Sequence, residues 1–369
     1  MTTRSPQCTT ITSLLKRQIN DLIRFNHQHS RAWHMPVMAA IATSFPIFLG
    51  AYFDQLSSGL VASLGAMVFL NLPYQGTFFF RMTQVLACSF GFVACYAVGL
   101  ITHLEPRLTL PLLFFVTFWV ALFGRYFRLT PPAGTFILMA AAIALFIPIA
   151  PLQIPFYIGL IGLGCLFSGV IACIYTLSLF AGGKQNTHSE PFVYRDDMMV
   201  DSALVATTVT ASLAVALLLG MSRPYWVAVS CFTIITGMTV LSIWTKQLQR
   251  VVGTFFGMAV AWGLLLFDLN PWQVAIAMLL LVVIIETLVV RNYALAIAFV
   301  TPLTILMAEY SSQVVHTANA ETSVIIARFW DTLLGCVIGL LGGMIIHSRR
   351  LRPSLHRFDQ RLARIFRIS

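Results

Sequence analysis

Charged residues are scarce in this 369-residue sequence. Asp, Glu, Lys and Arg together make up 10% of it, while 58% of its residues are hydrophobic. A soluble protein averages about 25% charged residues, so the composition excludes a soluble domain and indicates an integral membrane protein. Residues 1–30 are polar and basic and contain no early apolar run, so no cleavable signal peptide is predicted.

Sequence motifs typical of enzymes and metal sites are also missing. The seven cysteines form no CxxC pair and most fall inside apolar runs, which excludes a disulfide framework and a thiolate metal site. No Walker A pattern occurs, so we do not expect this chain to hydrolyse ATP. Without a metal-ligand cluster or a nucleophile elbow, neither an enzyme nor a bound cofactor is predicted.

Long apolar segments make up most of the chain, and a membrane-spanning helix needs about 20 mostly apolar residues. We predict an all-α polytopic membrane protein with twelve spans, several of them short. The spans are 35–53, 57–72, 78–102, 108–124, 132–150, 156–180, 199–220, 224–241, 249–267, 272–290, 293–310 and 322–347. A basic leader (1–34), a cytoplasmic linker (181–198) and a basic tail (348–369) complete the chain.

The basic residues indicate how these spans are oriented. With twelve spans, both termini and the even-numbered turns share one side of the membrane. That side carries five Lys and Arg residues in the leader, eight in turns and linker, and seven in the tail, whereas only Arg107 and Arg223 lie opposite. Cytoplasmic loops are enriched in Lys and Arg, so both termini are predicted to be cytoplasmic. Because the cations follow a membrane face, no nucleic-acid partner is expected.

An internal repeat accompanies this pattern. Residues 35–180 align with 201–346 at a constant offset, without gaps, and the identities at Gly, Thr and Arg are the informative ones. They include Gly91/Gly257, Arg125/Arg291, Thr135/Thr301 and Gly169/Gly335. Each half would contain six spans, an even number, so the halves enter the membrane the same way up. We therefore predict two parallel six-helix repeats related by an axis along the membrane normal, with a path between them.

The second half carries motifs that resemble a known family. They are RPYWVAVSCFTIITG (223–237), a polar elbow at Lys246 to Arg250, QRVVGTFFG (249–257), VVRNYALA (289–296) and ARFWDTLLGCVIG (327–339). Together they resemble the fusaric acid resistance family, whose superfamily includes bacterial aromatic acid exporters and resembles plant aluminium-activated malate transporters. The first half is similar more weakly, through SSGLVASLGAMVF (57–69) and GRYF (124–127).

The resemblance implies export of organic, in particular aromatic, acid anions across a bacterial inner membrane. A passive anion channel and a non-transporting subunit of an envelope or efflux assembly are the alternatives. Larger exporters of the family carry a sizeable soluble part after each half, where this chain has only the linker and the tail. Beyond the small organic anion and membrane lipid, a periplasmic adaptor or a second copy of the chain are the candidate partners.

Four arginines are candidate anion-binding residues. Arg81, Arg125, Arg250 and Arg291 are expected at cytoplasmic helix ends, and the planar guanidinium group binds a carboxylate through two hydrogen bonds. They would form an entry site for carboxylates if they converged on the pseudo-twofold axis. Alternatively, each of them anchors a helix to anionic lipid and sets the topology.

Three further charges fall within predicted spans. Arg328 and Asp331 are three residues apart, so they share a helix face and form either a site or proton relay in the path or a structural ion pair. Glu286 is either a protonatable coupling group or a clamp that pairs with Arg291 or Arg250.

Other residues in the spans have simpler interpretations. Pro46 and Pro302 predict kinks or exposed carbonyl groups in the path, with plain kinks favoured. The glycine pairs Gly253/Gly257 and Gly335/Gly339 predict closely packed helices. The tryptophans near span ends are expected to be interfacial anchors; they are Trp33, Trp226 and Trp272.

Overall fold

A computed structural model describes most of the chain. The described residues are 32–73, 75–127, 133–147, 149–181, 198–236, 240–267, 269–311 and 318–346. The predicted leader, linker and tail lie outside these ranges except for a few residues at their edges.

The described part of the chain contains α-helices and short 3-10 turns, and no strand. In the first half the α-helices are α1 (His34–Tyr52), α2 (Leu56–Ala66), α3 (Phe78–Ile101), α4 (Thr109–Tyr126), α5 (Ala133–Ala144) and α6 (Ile154–Ala181). In the second half they are α7 (Met198–Leu218), α8 (Tyr225–Ile235), α9 (Val240–Leu265), α10 (Pro271–Leu288), α11 (Tyr293–Ser311) and α12 (Ala318–Ile346). The predicted all-α class is confirmed.

These helices differ in whether they could cross a membrane. Within the described ranges, 8 helices are long and apolar enough to do so, and they belong to α1, α3, α4, α6, α7, α9, α10 and α12. The apolar stretches in α2, α5, α8 and α11 are shorter, at 10–17 residues. The protein is therefore a multi-pass membrane protein, while twelve crossings and two repeats stay predictions.

The polar elbow predicted at Lys246 to Arg250 is wrong. These residues lie inside α9, which begins at Val240, and the chain turns before that point, at Thr236. Lys, Gln, Leu and Arg are all good helix formers, and neither Gly nor Pro interrupts the chain from Val240 to Val252. Polarity alone was a misleading sign of a turn, because the residues that carry it here favour a helix.

The long helix α6 buries several small residues and exposes large apolar residues. On α6, Gly164, Cys165, Ser168 and Ala172 are buried. The exposed face of the same helix consists of large apolar side chains, Leu163, Leu166, Val170, Ile174 and Leu177. Such an outward apolar face suits contact with lipid tails, and small inward residues let helices approach closely.

The two halves use corresponding helices for corresponding contacts. In the first half, α1 packs on α2, α2 on α6, α3 on α5 and α6, and α4 on α5. In the second half, α7 packs on α8, α8 on α12, α9 on α11 and α12, and α10 on α11. Between the halves, α4 packs on α7 and α10 on α1, while α5 packs on α8 and α11 on α2.

The short helices are buried around nearly their whole circumference. All residues from Gly59 to Ala66 in α2, from Phe136 to Leu145 at α5 and from Thr301 to Met307 in α11 are buried, as is α8 except at Thr233. A helix that is apolar on every side is stable where other helices surround it. The contacts of α5 with α8 and of α2 with α11 therefore place the short helices at the junction between the halves.

Close helix packing at the predicted glycine pairs is borne out by the geometry. A Cβ added at Gly257 would lie 2.7 Å from the carbonyl oxygen of Ala298, and one added at Gly253 would meet that of Ala294 at 2.5 Å. Pro302 lacks the N–H that would bond the Ala298 carbonyl within α11. The carbonyl group of Ala298, which Pro302 leaves without its usual helix donor, thus lies where Gly257 of α9 packs against α11.

The Gly169/Gly335 match of the sequence alignment does not correspond to equivalent packing. A Cβ at Gly169 would meet nothing within 4 Å, whereas Gly335 packs against the backbone of Val227 in α8. Gly164 makes the equivalent contact in the first half, against Ala62 of α2. Leu163 to Cys165 and Leu334 to Cys336 both read Leu-Gly-Cys, so these tripeptides are the matching positions of α6 and α12.

We expect Gly257→Ala to destabilise the protein, because the added methyl group would collide with backbone atoms of α11 rather than with a mobile side chain. Overpacking of this kind costs about 1–3 kcal/mol. The matched control is Gly263→Ala on the same helix, where the added Cβ would meet nothing within 4 Å. Thermal unfolding in detergent measures both, and equal midpoints for the two variants would contradict the packing described here.

Candidate functional site

The positions of the charged residues can be given relative to the two ends of the bundle that α7 connects. The linker end is where α6 ends and α7 begins, and the opposite end is where α7 ends and α8 begins. Over its 21 residues α7 runs about 30 Å between these ends.

Arg125 connects the two halves at the linker end. It lies in the last turn of α4, and its Nη1 donates a hydrogen bond to Ser202 Oγ of α7 at 3.0 Å. Asp201, the neighbouring residue, also acts electrostatically on this guanidinium group. The half-buried Arg125 therefore stands at the interface between the halves, where a substrate path was predicted.

Arg81 lies in the first turn of α3 and is 6% exposed. Its guanidinium carbon is 5.9 Å from the ring centroid of Phe180, near the end of α6. Tyr175, one turn earlier on α6, also acts on it electrostatically. Arg81 is thus a buried cation at the linker end, surrounded by aromatic residues of its own half.

Arg250 lies deeper than the sequence predicted. It occupies the third turn of α9, is 7% exposed, and its Nη2 donates to Ser230 Oγ in the middle of α8 at 3.3 Å. The phenol of Tyr293, at the start of α11, lies beside the same guanidinium group. Arg81 and Arg250 are therefore both buried, but they sit at different depths of their helices.

Arg291 and Glu286, near the end of α10, differ in their exposure to solvent. Arg291 is exposed in the turn after this helix, whereas Glu286, in its last turn, is 3% exposed. The described contacts of the four predicted arginines involve different partner residues, and Arg125 alone is described as reaching from one half to the other. Binding of a carboxylate by these arginines, and the role of Glu286, stay predictions.

A second cluster of charges lies towards the opposite end, around Arg328 of α12. This arginine is 5% exposed, and its Nη2 donates to Thr304 Oγ1 of α11 at 3.3 Å. Its guanidinium carbon lies 3.3 Å from the ring centroid of Trp226. Trp226 is 2% exposed, so the prediction that it anchors the chain in the membrane interface is wrong: its indole face covers a buried cation.

Asp331 belongs to the same cluster and is completely buried, at 0% exposure. Neither of its carboxylate oxygens has a hydrogen-bond partner among the described residues. Arg328 and Arg223 both act on it electrostatically. Arg328 and Asp331 do share a helix region as predicted, but the described hydrogen bond of Arg328 goes to Thr304.

Sequence reasoning missed the polar and aromatic residues that position these charges. Ser202, Ser230 and Thr304 are common residue types in apolar helices and carried no signal of their own. A usable signal existed for Trp226, since it lies three residues after Arg223 at the start of a helix that is apolar throughout. A tryptophan on such a helix is more easily buried than one beside a polar face.

Two cavities of the first half have linings that include none of these charged residues. One of about 410 Å³ lies between α3 and α4, with an apolar lining that includes Trp119 and Phe123. Another of about 550 Å³ lies between α1, α2 and α6, with Phe45 and Phe167 in its wall. Neither contains a cation that could orient an organic acid, so we do not assign the anion site to them.

We expect Ser202→Ala to loosen the contact between the halves, because it removes the acceptor of the Arg125 hydrogen bond. Loss of such a bond costs about 1 kcal/mol. Thr207→Ala is the control, since the hydroxyl of this exposed residue on α7 donates only to its own helix, at Ala203 O. Unfolding midpoints in detergent compare the variants, and a Ser202→Ala midpoint no lower than that of Thr207→Ala would refute the expectation.

Comparisons with known proteins agree with the resemblance noted from the sequence. A sequence model described as fusaric acid resistance protein-like matches residues 210–342. An uncharacterized membrane protein, YvaC of Bacillus subtilis (strain 168), is 30% identical over 158 residues. That match covers 43% of this chain but only 24% of the relative, so the two proteins share a part of their architecture. No solved structure matches the chain.

Proposed function

We propose, from the match of residues 210–342 to the sequence model described as fusaric acid resistance protein-like, that this chain exports organic acid anions across a bacterial inner membrane. Aromatic acids are the proposed substrate class. The observation that carries the proposal is the burial of arginines in an otherwise apolar membrane bundle, because such cations are costly unless they have partners or bind an anion.

The proposed architecture has twelve crossings in two like-oriented repeats, 35–180 and 199–347, with both termini in the cytoplasm. The correspondence of helix contacts supports this architecture, because the helix pairs within one half recur in the other. Between the halves, the contact of α4 with α7 corresponds to that of α10 with α1, as a twofold axis would require. The short helices would then cross the membrane with the help of the segments that follow them.

The transport path is proposed to follow the junction between the halves. The short helices α2, α5, α8 and α11 meet there, and helix ends within a membrane are tolerated where they are buried in protein or line a water-filled cavity. Arg125 stands at this junction on the linker end. It would therefore meet an anion that enters this junction from the cytoplasm.

The anion would be bound by guanidinium groups at successive depths. Arg125 and the exposed Arg291 would gather carboxylates at the mouth, the buried Arg81 lies at the same end, and Arg250 lies deeper. Aromatic side chains flank two of these cations, Phe180 beside Arg81 and Tyr293 beside Arg250. A carboxylate attached to an aromatic ring suits such surroundings, because the ring packs on the aromatic residues while the carboxylate meets the cation.

Export would be coupled to a proton through a buried carboxyl group, either Glu286 or Asp331. Both are nearly or fully shielded from solvent, at 3% and 0% exposure. A passive anion channel is the competing function and would give anion currents that do not depend on a proton gradient. A periplasmic adaptor and self-association remain candidate interactions of the exporter.

We expect Arg125→Ala combined with Arg291→Ala to lower export of an aromatic acid such as fusaric acid by about tenfold or more, the equivalent of about 1.4 kcal/mol of lost binding. The measurement is efflux from preloaded cells that express the full chain. Arg107→Ala is the matched control, since this arginine lies opposite by the predicted topology and its side chain is 94% exposed. Unchanged efflux in the double variant would remove the anion-site assignment.

The orientation predicts which engineered thiols react from each side. Arg291→Cys should react with a membrane-impermeant maleimide only from the cytoplasmic side, and Ser222→Cys only from the opposite side, because both positions are exposed and lie at different ends. Wild-type protein gives the background of the native cysteines. Labelling of both positions from one side would exclude the twelve-span arrangement.

A further inference from the structure

Asp331 occupies a surrounding in which a negative charge is poorly supported. Its side chain is 0% exposed, and both oxygens lack a hydrogen-bond partner among the described residues. Burying an ionised carboxylate without hydrogen bonds costs several kcal/mol, and an isolated buried acid avoids this cost by taking up a proton. The geometry thus favours a carboxyl group that exchanges a proton over one that is permanently ionised.

Its nearest cation in sequence, Arg328, is directed to other groups. One face of the guanidinium group is covered by the Trp226 indole at 3.3 Å, and Nη2 donates to Thr304 Oγ1 at 3.3 Å. Trp226 belongs to α8 and Thr304 to α11, so two different helices fix the guanidinium group. Stacking of a guanidinium group on an indole is favourable in a desolvated site, which favours this position of Arg328.

Few other charges lie on the helices that pack against α12, which are α7, α8 and α9. The described charged residue of α7 is Asp201, at the linker end, and Arg223 precedes α8. Lys246 and Arg250 are on α9, and the latter lies near Cys336, more than one turn along α12 from Asp331. The thiols of Cys336 on α12 and of Cys231 on α8 are further titratable groups on these helices, and they lie near each other.

The first half lacks the corresponding site. When Leu163 to Cys165 is matched to Leu334 to Cys336, Tyr157 corresponds to Arg328 and Leu160 to Asp331. Leu60 replaces Trp226 at the offset that relates α2 to α8. Among the described residues the cluster therefore occurs in the second half and has no match in the first, despite the correspondence of helix contacts between the halves.

We propose that Asp331 is a proton-binding site, one per chain, and that Trp226 and Thr304 are positioning residues that keep Arg328 from forming an ion pair with it. Arg223, which acts electrostatically on Asp331, is half-buried at the opposite end of the bundle. A charged residue therefore lies between Asp331 and the surface at that end. The link to transport rests on the proposed function: in an exporter, this proton would be the coupling ion, and Asp331 rather than Glu286 would carry it.

The test is infrared difference spectroscopy of the full chain in lipid vesicles, taken between acidic and alkaline buffer. We expect the wild-type protein to show the C=O stretch of a protonated carboxyl group in apolar surroundings, and Asp331→Asn to lose that band. Asp54→Asn is the control, because Asp54 is exposed and its replacement should leave the band unchanged. A wild-type band that persists fully in Asp331→Asn would overturn the proposal.

The positioning role is tested by Trp226→Leu and Trp226→Phe. Without the indole, the guanidinium group is free to move onto the carboxylate, and an ion pair favours the ionised form. We expect the band of Trp226→Leu to be weaker than that of wild type at the same pH, and Trp226→Phe to restore it by supplying another ring face. An unchanged band in Trp226→Leu would show that Trp226 does not control Arg328.

Two further variants keep the test decisive if the tryptophan variants fail to fold. Thr304→Val removes the acceptor of the Arg328 hydrogen bond and should also weaken the band, whereas Thr304→Ser should retain it. The infrared measurement needs no substrate, so its result does not depend on whether the chain exports anions. If the wild-type protein lacks the band but exports anions normally, the proton-binding role of Asp331 is wrong and the proposed function stands. If the band is present but no anion efflux occurs, the proposed function is wrong.

Discussion

A helix of 11 residues, such as α2 or α8, is about 16 Å long and cannot cross a hydrocarbon core of about 30 Å by itself. Its backbone ends must therefore be covered by protein, since lipid offers no hydrogen bonds. The long helices provide this cover: they surround the short ones and turn their own large apolar side chains outward. The burial of the short helices at the junction between the halves depends on this arrangement.

Charges occur in the bundle where side chains of neighbouring helices can accompany them. Arg125 has Ser202, Arg250 has Ser230 and Tyr293, and Arg328 has Thr304 and Trp226. These partners are neutral, but acidic residues also act on two of the cations, Asp201 on Arg125 and Asp331 on Arg328. Arginines accompanied in this way inside the bundle agree with the proposed transport of organic acids.

The halves correspond in their helix contacts but not in their chemistry. The contact of α4 with α7 contains the Arg125–Ser202 hydrogen bond, whereas the corresponding positions at α10 and α1 are Arg291, which is exposed, and Pro36. The Arg328 cluster likewise has no counterpart around Tyr157 and Leu160. Corresponding helix contacts in the two halves thus accompany sites that differ between them.

The sequence by itself determined the all-α membrane class and the approximate location of most helices, because long apolar runs form helices in lipid. It also determined which glycines pack, since Gly253 and Gly257 fall on one helix face. Only the tertiary structure decided that Lys246 to Arg250 continue a helix, that Trp226 covers Arg328, and that Asp331 has no hydrogen-bond partner among the described residues. These features depend on contacts between residues far apart in the chain, such as Arg328 with Thr304, and no local pattern specifies which helices meet.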